Sequence, residues 1–267
     1  MALYFHSFAS GSSGNSYLVR SEQTALLVDC GISGKKIKER LACLGLTPSD
    51  LAGLLISHEH IDHVRSLKLM ARAASAASLY ASPGTFRAVE DKVETERTRA
   101  FRCEDGPFRI GDITVYPFRL SHDALEPVGY MFEADGRRCA IITDTGIISQ
   151  EVSDAMAEAD LICLEANHEE NLLLLSSYPY TLKQRILSPY GHLSNDDSAR
   201  CAAAFLHARR NKRKPHLFLA HLSRMNNSPE MAALTFRNTL FEQGLMEDKA
   251  YRLDVLAADG LCGTVIE

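Results

Sequence analysis

Short apolar runs alternate with longer stretches of helical spacing along almost the whole chain. The apolar runs, such as residues 25–29 and 161–165, are bounded by turn or polar residues and predict buried strands. Helical spacing over residues 35–44 and 195–208 predicts helices between the strands. This alternation is typical of an α/β fold.

The remaining elements follow the same pattern and show no internal repeat. Further strands are predicted over residues 3–8, 17–20, 53–57, 113–118, 129–134, 138–143, 217–220, 251–256 and 262–266. Further helices are predicted over 64–76, from 150 onward, and over 228–243. The polar stretch 10–16, SGSSGNS, is predicted to form a tight turn. We expect a single domain over residues 1–267.

Residues 58–63 read HEHIDH and form the densest group of metal-binding side chains in the sequence. His58 and His60 come directly after a predicted strand and can both reach one metal ion. Asp62 and His63 are left to reach a second ion. Such a pair of ions is typical of a binuclear hydrolytic site.

Three more residues at or just after the ends of predicted strands supply the missing ligands, namely His122, Asp144 and His221. Functional residues gather at the C-terminal ends of strands in α/β folds. We therefore predict two ligand sets with one shared carboxylate, that of Asp144. The sets are His58, His60 and His122 for one ion, and Asp62, His63 and His221 for the other.

Three further residues are candidates for roles around the ions. Asp29 ends its own predicted strand and is placed to fix the tautomer and ring angle of a ligating histidine. His192, in GHLSN, is predicted to act in catalysis together with Asp62, by holding a phosphate oxygen or protonating a leaving group. His168, in LEANH, is predicted with His192 to contact the substrate.

Composition and charge exclude several classes of protein. With 46% hydrophobic and 24% charged residues, the chain has the composition of a globular protein and not of a disordered one. A net charge of −5 excludes a general attraction to nucleic acid. Basic residues nevertheless cluster within 35–40 and within 207–216, and each cluster is either a solvated surface or a contact to phosphate.

Apolar run lengths and cysteine spacing bear on the compartment. No apolar run reaches the roughly 18 residues that span a bilayer, and residues 1–16 lack the features of a signal peptide. The seven cysteines include no CxxC pair, which argues against a cysteine-type zinc site and fits a reducing environment. We expect free thiols, no membrane partner and a cytoplasmic location.

Five motifs resemble those of the metallo-β-lactamase superfamily: DCG at 29–31, HEHIDH at 58–63, SHD at 121–123, TDTG at 143–146 and AHLS at 220–223. Other stretches resemble the YycJ/WalJ group within it: GSSGNS at 11–16, LEANH at 164–168, YP followed by LKQRI at 178–186, GHLSN at 191–195 and HLSRMNN at 221–227. The resemblance implies an αββα sandwich with two central mixed β-sheets and two metals at one edge.

The resemblance also implies an activity. The YycJ/WalJ group is associated with 5′-to-3′ DNA exonuclease activity, so the implied partner is DNA, single-stranded or duplex with a 5′ end. Ribonuclease Z is similar too, and its counterpart of His192 is implicated in phosphodiester cleavage. The 21 residues between His122 and Asp144 are too few for its tRNA-binding arm. The 76 between Asp144 and His221 cannot hold the extra domain of β-CASP nucleases.

The expected reaction is attack on phosphorus by a hydroxide held between two divalent ions, with His192 or a metal-bound water protonating the departing 3′ oxygen. The nitrogen-rich ligand set suits Zn²⁺, and Mn²⁺ and Fe²⁺ accept the same ligands. Three alternatives stay open at this point. They are a hydrolase of a lactam, lactone or thioester, a redox diiron protein with Glu expected in place of His60, and a non-enzymatic scaffold.

Overall fold

The computed structural model of the chain describes residues 2–93, 95–209 and 213–266, and its strands form two seven-stranded sheets. The first sheet contains β1 (Leu3–Ala9), β2 (Ser16–Arg20), β3 (Ala25–Val28), β4 (Leu51–Leu55), β5 (Ser78–Ala81), β6 (Thr98–Ala100) and β14 (Cys262–Ile266). The second contains β7 (Phe108–Ile110), β8 (Ile113–Arg119), β9 (Val128–Ala134), β10 (Arg137–Ile142), β11 (Leu161–Glu165), β12 (His216–Ala220) and β13 (Arg252–Val255).

Both sheets are mixed, with antiparallel pairs at one end and parallel pairs at the other. The first has the order β14-β1-β2-β3-β4-β5-β6, and β3 through β6 are parallel. The second has the order β13-β12-β11-β10-β9-β8-β7, and β10 through β13 are parallel. The C-terminal strand β14 pairs with β1, so the end of the chain completes the first sheet.

Helices cover the outer faces of the sheets. They are α1 (Gly34–Cys43), α2 (Ile61–Val64), α3 (Leu67–Ala73), α4 (Pro83–Val89), α5 (Gln150–Glu158), α6 (Glu170–Leu175), α7 (Tyr180–Ile186), α8 (Asn195–Ala208) and α9 (Pro229–Glu242). The longest of these have 14 residues. Within the described ranges, no helix combines the length and apolar character needed to cross a membrane.

Side chains of one strand alternate between two cores, because successive residues of a strand point to opposite faces. On β3, Leu26 and Val28 face the second sheet in a core that also holds Phe218, whereas Leu27 packs with Leu41 of α1. The second sheet alternates likewise, packing its outer face against α5, α8 and α9. The layers are therefore helix, sheet, sheet and helix, which confirms the predicted αββα sandwich with two mixed sheets.

One predicted helix is wrong in its extent. The pattern predicts a continuous helix over 64–76, but α2 ends at Val64 and α3 begins only at Leu67. The chain is interrupted because both the backbone N–H and the hydroxyl of Ser66 donate to the carbonyl of Cys30, at 2.9 and 3.1 Å. This tertiary contact fixes α2 against the loop that follows β3.

Candidate metal centre

The seven predicted ligands come together at one edge of the sandwich, where loops from the two sheets meet. The first sheet supplies the segment after β4, including α2, and the second supplies residues that follow β8, β10 and β12. Their possible ligand atoms fall into overlapping groups whose members lie within 4.8 Å of one another. Three groups contain predicted ligands alone, namely His58, His60 and His122; Asp62, His63 and His221; and His58, His63 and Asp144, and a fourth joins Asp144 and His221 with Glu165 and His192.

The first group presents three ring nitrogens to a common point. Nδ1 of His60 lies 3.1 Å from Nε2 of His58 and 3.3 Å from Nε2 of His122. Ligands about 2.0–2.1 Å from a tetrahedral zinc ion are separated by roughly 3.3 Å, so the spacing fits such an ion. His122 donates from Nδ1 to the carbonyl of Gly191 at 3.1 Å, which leaves Nε2 as its ligand atom.

The second group combines a carboxylate with two imidazoles. Oδ2 of Asp62 lies 3.7 Å from Nε2 of His63 and 3.7 Å from Nε2 of His221. Both histidines are almost fully buried, whereas the side chain of Asp62 is 19% exposed. The donor set of one oxygen and two nitrogens suits Zn²⁺ and other first-row divalent ions.

Asp144 lies between the two groups. Its Oδ2 is 3.2 Å from Nε2 of His63, and its Oδ1 is 3.4 Å from Nε2 of His221 and 3.8 Å from Nε2 of His122. Although buried, Oδ2 of Asp144 and Nε2 of His221 have no hydrogen-bond partner among the described residues. Buried polar atoms without partners are costly, so a cation bound here would satisfy both.

Asp29 holds one of the ligating histidines from behind. Its Oδ2 accepts hydrogen bonds of 2.8 Å from Nδ1 of His63 and from the hydroxyl of Ser57, and its Oδ1 accepts from the backbone N–H of Ser57. The carboxylate thereby leaves Nε2 of His63 as the atom that faces the cluster. The geometry supports the predicted positioning role of Asp29.

Glu165 orients a histidine in the other half of the site, as Asp29 orients His63. The sequence analysis did not predict this residue. Its Oε1 accepts from Nδ1 of His221 at 2.9 Å and from Nδ1 of His192 at 2.8 Å, while Oε2 accepts from the backbone of Thr145. Glu165 also lies within chelating distance of Asp144. Because its Oε1 is already directed at two ring N–H groups, we assign it a positioning role instead. It is the last residue of β11, so the strand-end rule that selected the other candidates could have found it.

The charges of the cluster shift its pKa values strongly. Burial lowers the pKa of His58 well below the usual value, and neighbouring His63 adds to this effect. For His221, burial is outweighed by the carboxylates of Asp144, Asp62 and Glu165, which raise its pKa to about 10. The pKa of Asp144 lies well below its ordinary range, because the surrounding histidines outweigh burial. The metal-free cluster thus combines an imidazolium at His221 with a carboxylate at Asp144, whereas the ring of His58 is neutral.

Three of these side chains are held by an unusual backbone. Asp29, Asp144 and His221 have φ values of 60°, 64° and 56°. Non-glycine residues in this left-handed region cost roughly 1–2 kcal/mol each, and they cluster at functional sites. Each follows a strand of the sandwich, so the sharp change of direction turns its side chain into the site.

The remaining two candidates, His192 and His168, differ in how accessible their side chains are. The His192 side chain is 14% exposed, and its ring centre lies 5.0 Å from that of His122 and 5.3 Å from that of His221. His168 is only 1% exposed, and neither ring nitrogen has a hydrogen-bond partner within the described ranges. Burial lowers its pKa to about 4. Its contact with substrate stays a prediction, to which this burial gives no support.

The turn 10–16 packs against the metal-binding loop. The backbone N–H of Asn15 donates to the carbonyl of Asp62 at 2.8 Å, and its Nδ2 lies 3.1 Å from Nε2 of His63. Gly31 packs on the same peptide, since a Cβ atom there would lie 1.5 Å from the carbonyl oxygen of Asp62. Backbone contacts from two loops therefore hold α2 in place.

The two basic clusters have different outcomes. Within 35–40, Lys36 and Arg40 pair with Asp259, and Lys35 lies 3.9 Å from Glu39. Among the described residues, Lys38 has no such partner. Of the cluster 207–216, residues 210–212 lie outside the described residues.

All seven cysteines are free, as predicted.

Comparison with known proteins agrees with this architecture. Residues 24–213 match the family model described as a beta-lactamase superfamily domain. Exodeoxyribonuclease WalJ of Streptococcus pneumoniae serotype 2 is 40% identical over 243 residues, covering 89% of this chain and 88% of that protein. Exodeoxyribonuclease YycJ of Bacillus anthracis is 36% identical over 256 residues, covering 95% of each.

Among solved structures, the metallo-β-lactamase fold protein YhfI of Bacillus subtilis superposes with a TM-score of 0.73 at 15% identity, covering 99% of this chain and 100% of that chain. This likeness concerns the fold. The fold and the His/Asp cluster together indicate divalent metal binding. The chain belongs to the metallo-β-lactamase superfamily and, within it, to the family of the WalJ and YycJ proteins.

Proposed function

We propose that this protein is a metal-dependent phosphodiesterase that degrades DNA as an exonuclease, from the 5′ end toward the 3′ end. The observation that carries the proposal is the complete set of seven candidate ligands in one cluster, in a chain 36–40% identical to two proteins named exodeoxyribonucleases. The direction of degradation is part of the proposal and follows the resemblance noted in the motifs.

We propose two divalent ions, Zn²⁺ or Mn²⁺ with Fe²⁺ as a third option. His58, His60 and His122 would hold one, Asp62, His63 and His221 the other, and Asp144 both. Such ions supply activation of water and neutralisation of charge on a phosphate. The fit rests on the 3.1–3.3 Å spacing of ring nitrogens in the first group and on the partnerless buried atoms of Asp144 and His221.

His192 is the group best placed to transfer a proton. Glu165 accepts from its Nδ1 at 2.8 Å, so the ring is fixed and Nε2 is the atom left to hold or donate a proton. Its ring borders both ligand groups, and its partial exposure leaves it accessible to a departing 3′ oxygen. We assign it the protonation of that oxygen, with Glu165 as the positioning residue.

We further propose that the whole chain acts as one catalytic unit in the cytoplasm. The two sheets contribute ligands jointly, so neither sheet has a complete site. Seven free thiols fit a reducing compartment.

The test is a degradation assay with purified protein loaded separately with Mn²⁺ or Zn²⁺. DNA oligonucleotides carrying a label at the 5′ or the 3′ end, both single-stranded and duplex, are incubated with the protein and with Asp62→Ala. We expect metal-dependent release of nucleotides from the 5′ end and loss of this activity in the variant. Circular dichroism of Asp62→Ala establishes that the fold persists.

Two results would overturn the proposal. The first is intact DNA with both metals, combined with turnover of nitrocefin or an acyl thioester, which would favour an acyl hydrolase on the same fold. The second is full activity of a folded Asp62→Ala variant. Release of label from the 3′ end would correct the direction alone.

A further inference from the structure

A groove between α1 and α3 carries an unbalanced positive charge. It encloses about 760 Å³, and its lining includes Lys38 of α1, Arg65 between α2 and α3, and Lys68 and Arg72 of α3. All four side chains are exposed. Within the part of the chain that the structure describes, no acidic residue lines the groove.

These four cations have no partners among the described residues. Among the residues that the structure describes, none of their side chains forms an ion pair or a hydrogen bond, whereas neighbouring Lys36 and Arg40 are neutralised by Asp259. The overall charge of −5 makes four adjacent unpaired cations unusual for this chain. Most surface cations that serve only solubility are interspersed with acids.

The cations on one wall have a regular spacing. Lys68 and Arg72 are four residues apart on α3, so they lie on one side of this helix, roughly 6 Å apart along its axis at 1.5 Å per residue, and Arg65 lies in the turn before the helix. One DNA strand presents a phosphate about every 3.4 Å along its axis. The spacing of Lys68 and Arg72 therefore matches about two phosphate steps of one strand.

The groove starts at the loops that hold the metal centre. Arg65 follows directly after α2, which contains Asp62 and His63. The opposite wall, α1, begins just after the loop that follows Asp29. The two walls meet closely, because a Cβ atom on Gly34 would lie 2.5 Å from the Leu69 side chain. A DNA strand that leaves the metal centre on this side would enter the groove.

The lining also indicates which part of DNA would be bound. It contains no aromatic side chain on which a base could stack, and its apolar part is limited to small residues and Leu69. Cations without stacking groups contact the backbone and carry no sequence information. A backbone tract of DNA fits this surface better than unpaired bases do.

We propose that this groove binds the phosphate backbone of the DNA substrate next to the metal centre, through Lys38, Arg65, Lys68 and Arg72. The proposal rests on the nuclease function proposed above. It predicts that most of the salt dependence of DNA binding comes from these four side chains, since each phosphate contact contributes about 0.9 to the slope of log K against log salt concentration.

The test compares two variants with equal charge change. One replaces the four groove cations by Gln, and the other replaces Arg87, Arg109, Lys249 and Arg252, which are exposed and lie outside the groove. With the metal-loaded enzymes, we expect kcat/KM for duplex DNA to fall roughly tenfold or more in the groove variant alone. Hydrolysis of bis(p-nitrophenyl) phosphate, too small to reach the groove, should be unchanged.

A binding measurement separates this proposal from the proposed function. Fluorescence anisotropy of labelled duplex DNA in EDTA is recorded against salt concentration, and we expect the slope to fall by about 3–4 in the groove variant. An unchanged slope and affinity, or an equal loss in the control variant, would overturn the groove proposal. Failure of the proposed function would appear differently, as wild-type protein that binds DNA but never cleaves it.

Discussion

The carboxylate of Glu165 accepts a hydrogen bond of 2.9 Å from Nδ1 of His221, so only Nε2 of that ring is left to bind a metal ion. Asp29 and His63 repeat this arrangement on the other side of the cluster, at 2.8 Å. Carboxylates behind metal-binding histidines fix the tautomer and increase ligand basicity. In each half of the site, one buried carboxylate thus determines which ring nitrogen of the histidine is available to a metal ion.

Replacing this acid tests its role. We expect Glu165→Gln to weaken metal affinity by about 10- to 100-fold, because an amide supports the His221 tautomer less strongly. Competition titration with a chromophoric chelator measures the change. Glu158→Gln, at an exposed glutamate that pairs with Arg138, is the matched control and should keep the affinity of the parent protein. Equal affinities in both variants would argue against the positioning role.

Metal uptake should release protons. The pKa of His221 is raised to about 10 and that of His63 lies well above its usual value, so both rings are protonated at pH 7 without metal. Binding must displace these protons, and affinity should rise with pH toward 10. Calorimetry in buffers of different ionisation enthalpy should detect close to two protons per fully loaded chain. Absence of proton release at pH 7 would contradict this assignment.

The stability of the metal-free protein should fall as pH rises, whereas its affinity for metal should increase. A histidine whose pKa is raised by folding stabilises the fold below its unfolded value near 6.5, and this contribution is lost as pH rises through the folded value, which for His221 is about 10. We therefore expect the free energy of unfolding of the metal-free protein to fall between pH 7 and 10. Urea denaturation checks this, and the metal-loaded protein should lack the decline.

Gly31 should be needed for the position of α2. A methyl group there would lie 1.5 Å from the carbonyl oxygen of Asp62, so Gly31→Ala must displace the loop that carries Asp62 and His63. We expect a loss of stability of about 1–3 kcal/mol and weaker metal binding. Gly260→Ala is the control, because its nearest neighbour would be 3.4 Å away. Thermal denaturation and chelator competition on both variants decide the point.

His168 should make the fold sensitive to acid. Burial lowers its pKa from 6.5 to about 4, so the unfolded chain binds a proton over this interval and the folded chain does not. Stability is lost as pH falls from 6.5 to 4, by roughly 3 kcal/mol at most from this residue. In His168→Leu, urea denaturation at pH 7 and pH 4.5 should give a smaller difference than in the parent protein. An unchanged difference would contradict the prediction.

The sequence allowed prediction of the architecture, and it also selected side chains that the structure brings together at one edge, because these residues lie in motifs at or near the ends of strongly apolar strands. Short elements such as β6 and β7 were not predicted, since three residues give no periodic pattern. Glu165 was overlooked although it ends β11 within LEANH, because its hydrogen bonds join it to His192 and His221, 27 and 56 positions away. Pairing of Lys36 with Asp259 joins residues 223 positions apart, which local charge patterns cannot reveal.

Because the candidate ligands come from both sheets, a bound ion would link the two sheets of the sandwich. His58, His60, Asp62 and His63 belong to loops of the first sheet, and His122, Asp144 and His221 to loops of the second. Since an ion that binds only the assembled site stabilises the folded state by mass action, both sheets gain from it together. Metal supply would then set the free energy of unfolding of the whole sandwich, so chelation would destabilise both sheets at once.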